Sequence, residues 1–493
     1  MLKKIIILLF VSFLFFLLRL YNLQSHPIFV DEAIYARWAQ MGTYDPALRL
    51  VSLVDGKQPL YIWLVSILTT YLGNPLVAGR LVSIIAGFVT LIGLFLLSHE
   101  LFRRRWVGIV SVFLYVLYPF ALVLNRMAVY ESLMGMFTIW SLYIAILLVR
   151  YTNLGASLTL ALVLGGGLLT KSSGFINIYL LPTVLLLFKF KKNFQKLLKY
   201  FIFALLAVIL SFLYYSVLLL SDKYYMIAEK DAIFTYHLSE LIPYHAFDKW
   251  GANILQLAHW TFSYLTYPVA LLIVFSYIGK RYRKEKLLLI VWFIIPIVGI
   301  ALFGRLLNSR YIFPMTLSLL PLIAINVGEL YFFFKNKIYY SLIVITCISF
   351  LTFSDYKILT EMSHAPIPQA DLQQYVNSYS SGRGLREIIN YLGEQARKTP
   401  ILITSEGTYG SLPTTVVEIY FVHNASVERY AFEARPKRLD EHIYNKARVK
   451  PVYIIFNETQ SVSKWPLRLV MRFKRGSGDL YLSLYKVDYS RID

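Results

Sequence analysis

The sequence has very little cysteine and few charged side chains. Its 493 residues include one cysteine, and only 16% of them are Asp, Glu, Lys or Arg, whereas soluble domains average about 25% charged residues. The single cysteine excludes a disulfide framework and a thiolate metal site. Because 57% of the residues are hydrophobic, the composition also excludes an ordinary soluble protein and indicates a membrane protein.

Acidic residues are the scarcer of the two charge types. The chain has 28 Asp and Glu against 49 Lys and Arg, which gives a net charge of +21. In a nucleic-acid-binding protein such an excess would form a basic face. Here the basic residues stand in short clusters between apolar runs, which is typical of the cytoplasmic loops of membrane proteins. We therefore expect membrane lipids, and no nucleic acid, as partners.

The apolar residues are grouped into runs that are long enough to cross a hydrocarbon core of roughly 30 Å. No small-residue cleavage site follows the first run, so we expect it to remain as a transmembrane helix. A shorter run at 59–72 begins with proline and is typical of an interfacial segment. The eleven predicted spans are 5–20, 76–98, 107–124, 131–149, 155–170, 174–188, 200–220, 258–278, 287–304, 310–330 and 338–354.

The basic clusters decide whether the run 59–72 crosses the membrane. If Lys3 and Lys4 are cytoplasmic and this run does not cross, every later basic cluster also falls on the cytoplasmic side, as the positive-inside rule requires. If the run crossed, all of these clusters would be outside. The predicted inner clusters are 103–105, 189–199, 280–286 and 335–337, and the predicted outer segments are 21–58, 125–131, 171–173, 221–257, 305–309 and the tail.

The tail differs from the rest of the chain because strand-like alternation replaces the long apolar runs. Its last two strands are joined through Gly476-Ser-Gly478, a good hairpin signal. The predicted fold class is a polytopic α-helical membrane protein of about eleven transmembrane helices with a C-terminal extracytoplasmic α/β domain. We predict a membrane domain at 1–358, with juxtamembrane helices within 21–73 and an outer loop at 221–257, and a soluble domain at 359–493 with a helix at 382–397 and strands at 401–404, 452–456, 467–473 and 479–487.

Ionisable residues collect at the predicted outer ends of the helices. Each has a structural alternative, because acids favour the first turn of a helix and basic side chains extend from the apolar layer to the interface. Together they suit a site for an anionic lipid headgroup and a hydroxyl nucleophile: Lys and Arg would bind phosphate, and a carboxylate would accept the hydroxyl proton. These residues are Asp31, Glu32, Arg80, Arg126, Glu131, Lys171, Arg305 and Arg310.

The order of these residues resembles that of the GT-C superfamily of glycosyltransferases, in particular the protein O-mannosyltransferase and aminoarabinose transferase (ArnT-like) branch. The resemblance covers residues 1–330. Two departures from the pattern are Gln58 in Lys57-Gln-Pro-Leu60, where the family often has proline, and Glu131, where Asp is usual. The elements, in chain order, are Asp31-Glu32, Pro59-Leu-Tyr61, Gly79-Arg80, Asn125-Arg-Met-Ala-Val-Tyr-Glu131, Gly167-Leu-Leu-Thr-Lys171 and Ser309-Arg-Tyr-Ile-Phe-Pro314.

The resemblance implies an inverting transfer of a sugar from a polyprenyl-phosphate donor to a hydroxyl of an envelope lipid, glycan or protein, at the outer face of the cytoplasmic membrane. It implies no cofactor, and a divalent metal is left open, although His237 and His245 lack a clear third ligand. The resemblance implies Asp31 as the base with Glu32 beside it, and leaves the exact role of Glu131, a third catalytic candidate, open. We expect Lys57, Arg80, Arg126, Lys171 and Arg310 on the donor phosphate. The expected acceptor or sugar contacts are Tyr35 and Gln58, with Tyr236 and His237 from the outer loop 221–257, which we interpret as covering the acceptor.

The alternative function from another class is a lipid or glycolipid transporter, or flippase. Such a protein would show charged or broken helices near the middle of the bilayer and internal repeats. The sequence shows neither, and its candidate residues lie at one face. The sequence therefore favours the glycosyltransferase, with the transporter as the alternative and a scaffold protein third.

Overall fold

The computed structural model of the chain describes residues 2–189, 194–243, 246–277, 281–462, 465–488 and 490. His245, residue 280 and the middle of the basic cluster at 189–199 lie outside these described residues. Helices occupy most of the chain up to residue 398, and a five-stranded sheet lies in the C-terminal part.

The membrane part consists of helices that are linked by short turns and 3-10 segments. Their long apolar stretches explain the helices, because every backbone group of an α-helix is hydrogen-bonded within the segment. The helices are α1 (Leu2–Leu20), α2 (Val30–Tyr44), α3 (Leu60–Leu72), α4 (Pro75–Phe102), α5 (Arg105–Val116), α6 (Pro119–Asn125), α7 (Glu131–Tyr151), α8 (Leu154–Thr170), α9 (Phe175–Leu180), α10 (Phe194–Tyr215), α11 (Met226–Phe234), α12 (Ala246–Leu265), α13 (Tyr267–Leu271), α14 (Arg283–Phe303), α15 (Phe313–Thr316), α16 (Leu319–Phe333), α17 (Lys337–Thr360) and α18 (Gln369–Leu372).

Six described helices are long and apolar enough to cross a membrane, and the number rises to nine if three bent helix pairs each count as one span. The bent pairs include α5 with α6, at 61°, and α12 with α13, at 111°. Of the eleven predicted spans, those at 155–170 and 174–188 correspond to shorter apolar helices. The run at 59–72 forms α3, whose 13 residues reach about 20 Å at 1.5 Å per residue, less than a hydrocarbon core.

The two ends of the helix assembly carry different residues. At one end, the loops around Arg104 and Arg281 come together at a pocket that also contains Trp106 and Tyr282. At the other end, the first turn of α7, the end of α8 and the turn before α15 meet through ion pairs. The structure therefore separates basic loops at one end from the acid–base residues at the other, as the charge rule predicts.

The C-terminal part is a small α/β domain with a mixed sheet in the order β2-β1-β3-β5-β4. β2, β1 and β3 are parallel, and β5 pairs antiparallel with both β3 and β4. The predicted helix, the four predicted strands and the hairpin are all present. The elements are β1 (Ile401–Glu406), β2 (Val427–Phe432), β3 (Val452–Phe456), β4 (Leu467–Lys474) and β5 (Tyr481–Val487), with α19 (Leu385–Lys398), α20 (Leu412–Phe421) and α21 (Glu441–Ala447).

The C-terminal domain packs on α2. Arg37 of α2 pairs with Glu418 of α20 at 3.1 Å, and Gln40 Nε2 donates to the carbonyl of Ile419 at 2.9 Å. Ala33 and Ala36 of the same helix belong to the apolar core that continues under the sheet. The domain therefore lies on the same side of the helix assembly as Asp31, which is in the first turn of that helix.

Candidate active site

Asp31 and Glu32 occupy the first turn of α2, where acids are favoured by the helix dipole. Neighbouring positions on a helix point in directions about 100° apart, so the two carboxylates face different surroundings. The Asp31 side chain is 22% exposed, and that of Glu32 is fully buried. Their separate surroundings define two groups of polar residues.

Glu32 is enclosed by donors from three parts of the chain. Its Oε1 accepts from Arg80 Nε at 2.9 Å and from the backbone N–H of Ala128 at 2.7 Å. Its Oε2 accepts from Arg80 Nη2 and from the backbone N–H of Phe29, both at 3.0 Å. The carboxylate thereby caps α2 and ties it to α4 and to the segment before α7, which favours a structural role over a catalytic one.

The guanidinium groups of Arg80 and Arg126 form hydrogen bonds with other parts of the protein. Arg80 Nη1 donates to the carbonyl of Leu23 at 2.7 Å, in addition to its two bonds to Glu32. Arg126 donates to carbonyl groups at the C-terminal end of α1, among them that of Tyr21 at 2.7 Å, where a cation is favoured. These contacts favour structural roles over the phosphate contacts expected from the sequence. We call Glu32, Arg80 and Arg126 the buried arginine network.

Asp31 belongs to a second group, in which acids and bases alternate. Arg310 Nη2 lies 2.7 Å from Asp31 Oδ2, and Arg310 Nε lies 3.7 Å from Glu131 Oε1. The same Glu131 oxygen accepts from Lys171 Nζ at 2.8 Å. Lys171 follows the last residue of α8, and Glu131 begins α7, so each sits at the helix end that suits its charge.

Lys57 is the remaining basic residue of this group. Among the described residues, no carboxylate lies within ion-pair distance of its ammonium group, which stands 5.7 Å from the centre of the Phe234 ring. Burial, and then repulsion by Lys171, lower the pKa of Lys57 to about 8. Gly56 precedes it with a φ of 63°, and a side chain there would collide with the backbone of Met226. We call Asp31, Lys57, Glu131, Lys171 and Arg310 the acid–base cluster.

The cluster contains buried polar atoms that the described part of the protein leaves without hydrogen bonds. These atoms are Glu131 Oε2 and Arg310 Nε, and the hydroxyl oxygen of Tyr130, the residue before Glu131, is a third such atom beside the cluster. Buried polar groups are nearly always paired, so such atoms call for an explanation. A bound polar ligand would supply the missing partners. The buried arginine network differs in this respect, because both Glu32 oxygens are occupied.

The predicted acceptor or sugar contacts fall into two sets. Tyr35 and Gln58 lie at the cluster: the Tyr35 hydroxyl is 3.4 Å from Asp31 Oδ2, and Gln58 Nε2 donates to the Ser172 hydroxyl at 2.8 Å. Tyr236 lies instead beneath Arg305, with its ring 4.6 Å from the guanidinium carbon. His237 is exposed, and its backbone N–H donates to Glu240.

Several residues near the cluster were not found from the sequence. Asp231 of α11 hydrogen-bonds Ser172 and faces Lys57 and Lys171, and burial raises its pKa. Lys171 Nζ stands 4.6 Å from the centre of the Tyr311 ring. Tyr311 stands beside Arg310 in the motif and could have been named with it, whereas Asp231 belongs to no motif. Within the described ranges, no group of three or more His, Cys, Asp or Glu residues could hold a metal ion.

Comparison with known proteins supports the resemblance that the motifs indicate. Residues 56–218 match the family model described as dolichyl-phosphate-mannose-protein mannosyltransferase. No curated protein matches the chain.

The fold is similar to that of ArnT from Cupriavidus metallidurans, solved with bound undecaprenyl phosphate: TM-score 0.56, 12% identity, and 98% of each chain covered. The apo form of that protein gives a TM-score of 0.57 at 10% identity, over 99% of this chain and 98% of that chain. An Archaeoglobus fulgidus oligosaccharyltransferase tethered with an acceptor peptide gives 0.50 at 12% identity, over 91% of this chain and 68% of that chain. The chain therefore has an ArnT-like fold, and the predicted fold class is confirmed as a helical membrane domain that is followed by a C-terminal α/β domain.

Proposed function

We propose that the protein is an inverting glycosyltransferase that moves a sugar from a polyprenyl-phosphate donor to a hydroxyl group of a lipid, glycan or protein. The observation that carries the proposal is the acid–base cluster, in which Glu131 Oε2 and the ammonium group of Lys57 have no partner among the residues that the structure describes. The superfamily fold and the ArnT structure with bound undecaprenyl phosphate give it further support.

The proposed reaction uses one carboxylate and several cations. The acceptor hydroxyl attacks the anomeric carbon, the bond from that carbon to the phosphate oxygen breaks, and the electron pair stays on the phosphate. Asp31 accepts the hydroxyl proton as general base. Lys57, Lys171 and Arg310 balance the charge that develops on the phosphate, which is most effective where water is excluded. Because the phosphate leaves readily, the mechanism needs no separate general acid.

The test is transfer by the purified full-length protein in detergent or nanodiscs. Polyprenyl-phosphate donors carrying different radiolabelled sugars are incubated with a membrane-lipid fraction, a glycan fraction or a protein fraction from cell envelopes. We expect label to leave the donor and to enter one of the three fractions. The anomeric configuration of the sugar in the product should be the opposite of that in the donor. Proton NMR of the product would show this inversion. Absence of transfer from every donor, by folded protein, would contradict the proposal.

We further propose that the cluster and the C-terminal domain lie outside the cytoplasm. The support is the positive-inside rule, together with the position of the domain against α2 on the side of Asp31. A reporter enzyme that is active only outside the cytoplasm should work when fused after Asp493 and fail when fused after Arg283. The opposite pattern would reverse the orientation and would place Asp31 at the cytoplasmic face.

A further inference from the structure

A second cavity lies next to the acid–base cluster. It has a volume of about 320 Å³ and lies between the end of α12, the turn that contains Asn308 and Ser309, and the segment around α18. This volume falls at the lower end of the range of about 300–1,000 Å³ that small-molecule sites occupy. Part of its wall is a π-helix, Gln373–Asn377, and π-helical turns are frequent at functional sites.

The lining of this cavity carries amides and hydroxyls and no basic group. It includes Asn308, Gln373, Gln374, Ser378 and Ser380. One lining residue, Asp371, is acidic, and its carboxylate already accepts hydrogen bonds from the hydroxyls of Ser309 and Tyr264. A phosphate would find no counter-charge here. A ligand that is uncharged and rich in hydroxyl groups matches this lining.

Part of the hydrogen-bonding capacity of the cavity is unused. Gln374 Oε1 accepts from Asn308 Nδ2 at 3.1 Å, which orients the Gln374 amide. The hydroxyls of Ser378 and Ser380 are paired at 2.8 Å, and the Ser380 hydroxyl also donates to the carbonyl of Gln374 at 2.6 Å. Each hydroxyl oxygen can still accept a further hydrogen bond. In the part of the chain that the structure describes, no side-chain hydrogen bond occupies the amide of Gln373. Trp260 adds an aromatic side chain to the lining.

The cavity is joined to the acid–base cluster by short connections. Ser309 of its wall precedes Arg310 in the chain. The ring of Phe29 contacts Tyr375, which follows the lining residue Gln374, with ring centres 5.1 Å apart, and the Arg310 guanidinium carbon lies 5.5 Å from the centre of the same ring. The backbone N–H of Val30 donates to the carbonyl of Ser380 at 3.0 Å. The cavity therefore borders the segment that carries Arg310, the partner of Asp31.

We propose that this cavity binds an uncharged sugar ring of one of the two substrates, while the acid–base cluster binds the phosphate. The role of the cavity in the reaction rests on the proposed glycosyl transfer. The binding of a sugar ring does not depend on it. The ring could belong to the acceptor or to the donor. Both sources share the same chemistry, a set of hydroxyl groups that amide and serine side chains bind, and kinetic measurements separate them.

The test measures binding of the methyl glycosides of glucose, galactose, mannose and N-acetylglucosamine to the full-length protein. Saturation-transfer difference NMR detects the binding. Gln373→Leu and Ser378→Ala remove cavity groups without touching the acid–base cluster. Gln369→Leu is the matched control, because Gln369 is an exposed glutamine of the same segment that does not line the cavity. We expect each cavity variant to weaken binding of at least one glycoside about two- to tenfold, as for the loss of one hydrogen bond, and the control to bind as the wild type does.

The kinetic arm assigns the sugar to its source. A rise in KM for the donor in the cavity variants would assign the ring to the donor, and a rise in KM for the acceptor fraction would assign it to the acceptor. Failure of every glycoside to bind the wild type, or equal binding in all variants, would overturn the proposal even if transfer is observed. Cavity-dependent binding without any transfer would instead uphold the sugar site and contradict the proposed function.

Discussion

The buried arginine network and the acid–base cluster contain the same kinds of side chain and begin at adjacent residues, but they differ in how far their bonds are satisfied. In the network, both oxygens of Glu32 are occupied and Arg80 is bonded on all sides. In the cluster, Glu131 retains an unpaired oxygen and Lys57 has no ion-pair partner among the described residues. We therefore infer that the acid–base cluster is the candidate site and that the buried arginine network is its structural support.

The largest expected effect is on catalysis by Asp31. Asp31→Asn keeps the shape of the side chain but removes the proton acceptor, and general-base catalysis contributes about 10²–10⁴-fold to rates. We expect kcat for sugar transfer to fall by this factor, with only a small fall in the thermal unfolding midpoint, because Glu131 remains beside Arg310. Asp222→Asn is the control, because the Asp222 side chain is 81% exposed in the loop after α10. Full activity of Asp31→Asn would move the base elsewhere, with Glu131 the next candidate.

The neighbouring carboxylate should behave in the opposite way. Glu32→Gln leaves Arg80 buried without its counter-charge, and breaking a buried ion pair costs about 3–5 kcal/mol of unfolding free energy. We expect a much lower thermal unfolding midpoint and less folded protein, with transfer per folded molecule largely retained. Glu361→Gln serves as the control, since that carboxylate is half exposed and paired with Lys357. A stable Glu32→Gln protein without activity would remove the distinction between the two groups.

A smaller effect is expected for Lys171. Lys171→Met keeps the apolar stem and removes the charge, so donor binding should weaken by about 1–3 kcal/mol, the range for a hydrogen bond to a charged group. Binding of a fluorescent polyprenyl-phosphate donor would measure this loss. Lys223→Met, at a more exposed lysine, is the control. If donor affinity does not change, Lys171 serves only its ion pair with Glu131.

The smallest and most specific effect concerns pH. The pKa of Lys57 is lowered to about 8, so the charged form that binds phosphate is lost as the pH rises through that value. We expect kcat/KM for the donor to be reduced to about half by the loss of this charge near pH 8 and to keep falling above that pH. Lys57→Arg keeps its charge and should move the fall to higher pH, whereas Lys57→Met should be low and flat. An unchanged profile in Lys57→Arg would show that another group causes the fall.

Much of the fold follows from the sequence because hydropathy and charge act over long segments. The apolar runs and the hairpin at Gly476-Ser-Gly478 each correspond to observed elements. β2 was missed because it is an edge strand whose alternate residues are exposed, and its charged residues hide the strand pattern. α20 and α21 were also missed, since both are short and their apolar residues are recognised only against the sheet.

The candidate site follows from the sequence only in part. The order of the motifs along the chain predicts that Asp31, Glu131, Lys171 and Arg310 belong to one site. In the structure these four residues are linked by ion pairs. Order cannot separate Asp31 from Glu32, because the difference between them depends on which face of α2 meets α4. Asp371 carries no motif at all, and only its contact with Ser309 brings it near the cluster.

The bridge between Phe29 and Ser381 has a consequence for the timing of biosynthesis. The ribosome synthesises the turn that contains Asp31 early, and the segment around Ser381 that pairs with this turn much later. The buried Arg475 fixes the later segment by donating to the carbonyl of Ser381. Since domains generally fold as the chain emerges, N-terminal parts first, the turn stays without this support until the C-terminal domain has folded. A nascent chain, or one truncated before the C-terminal domain, would therefore have its first helices without the backbone bridge that supports the turn of Asp31.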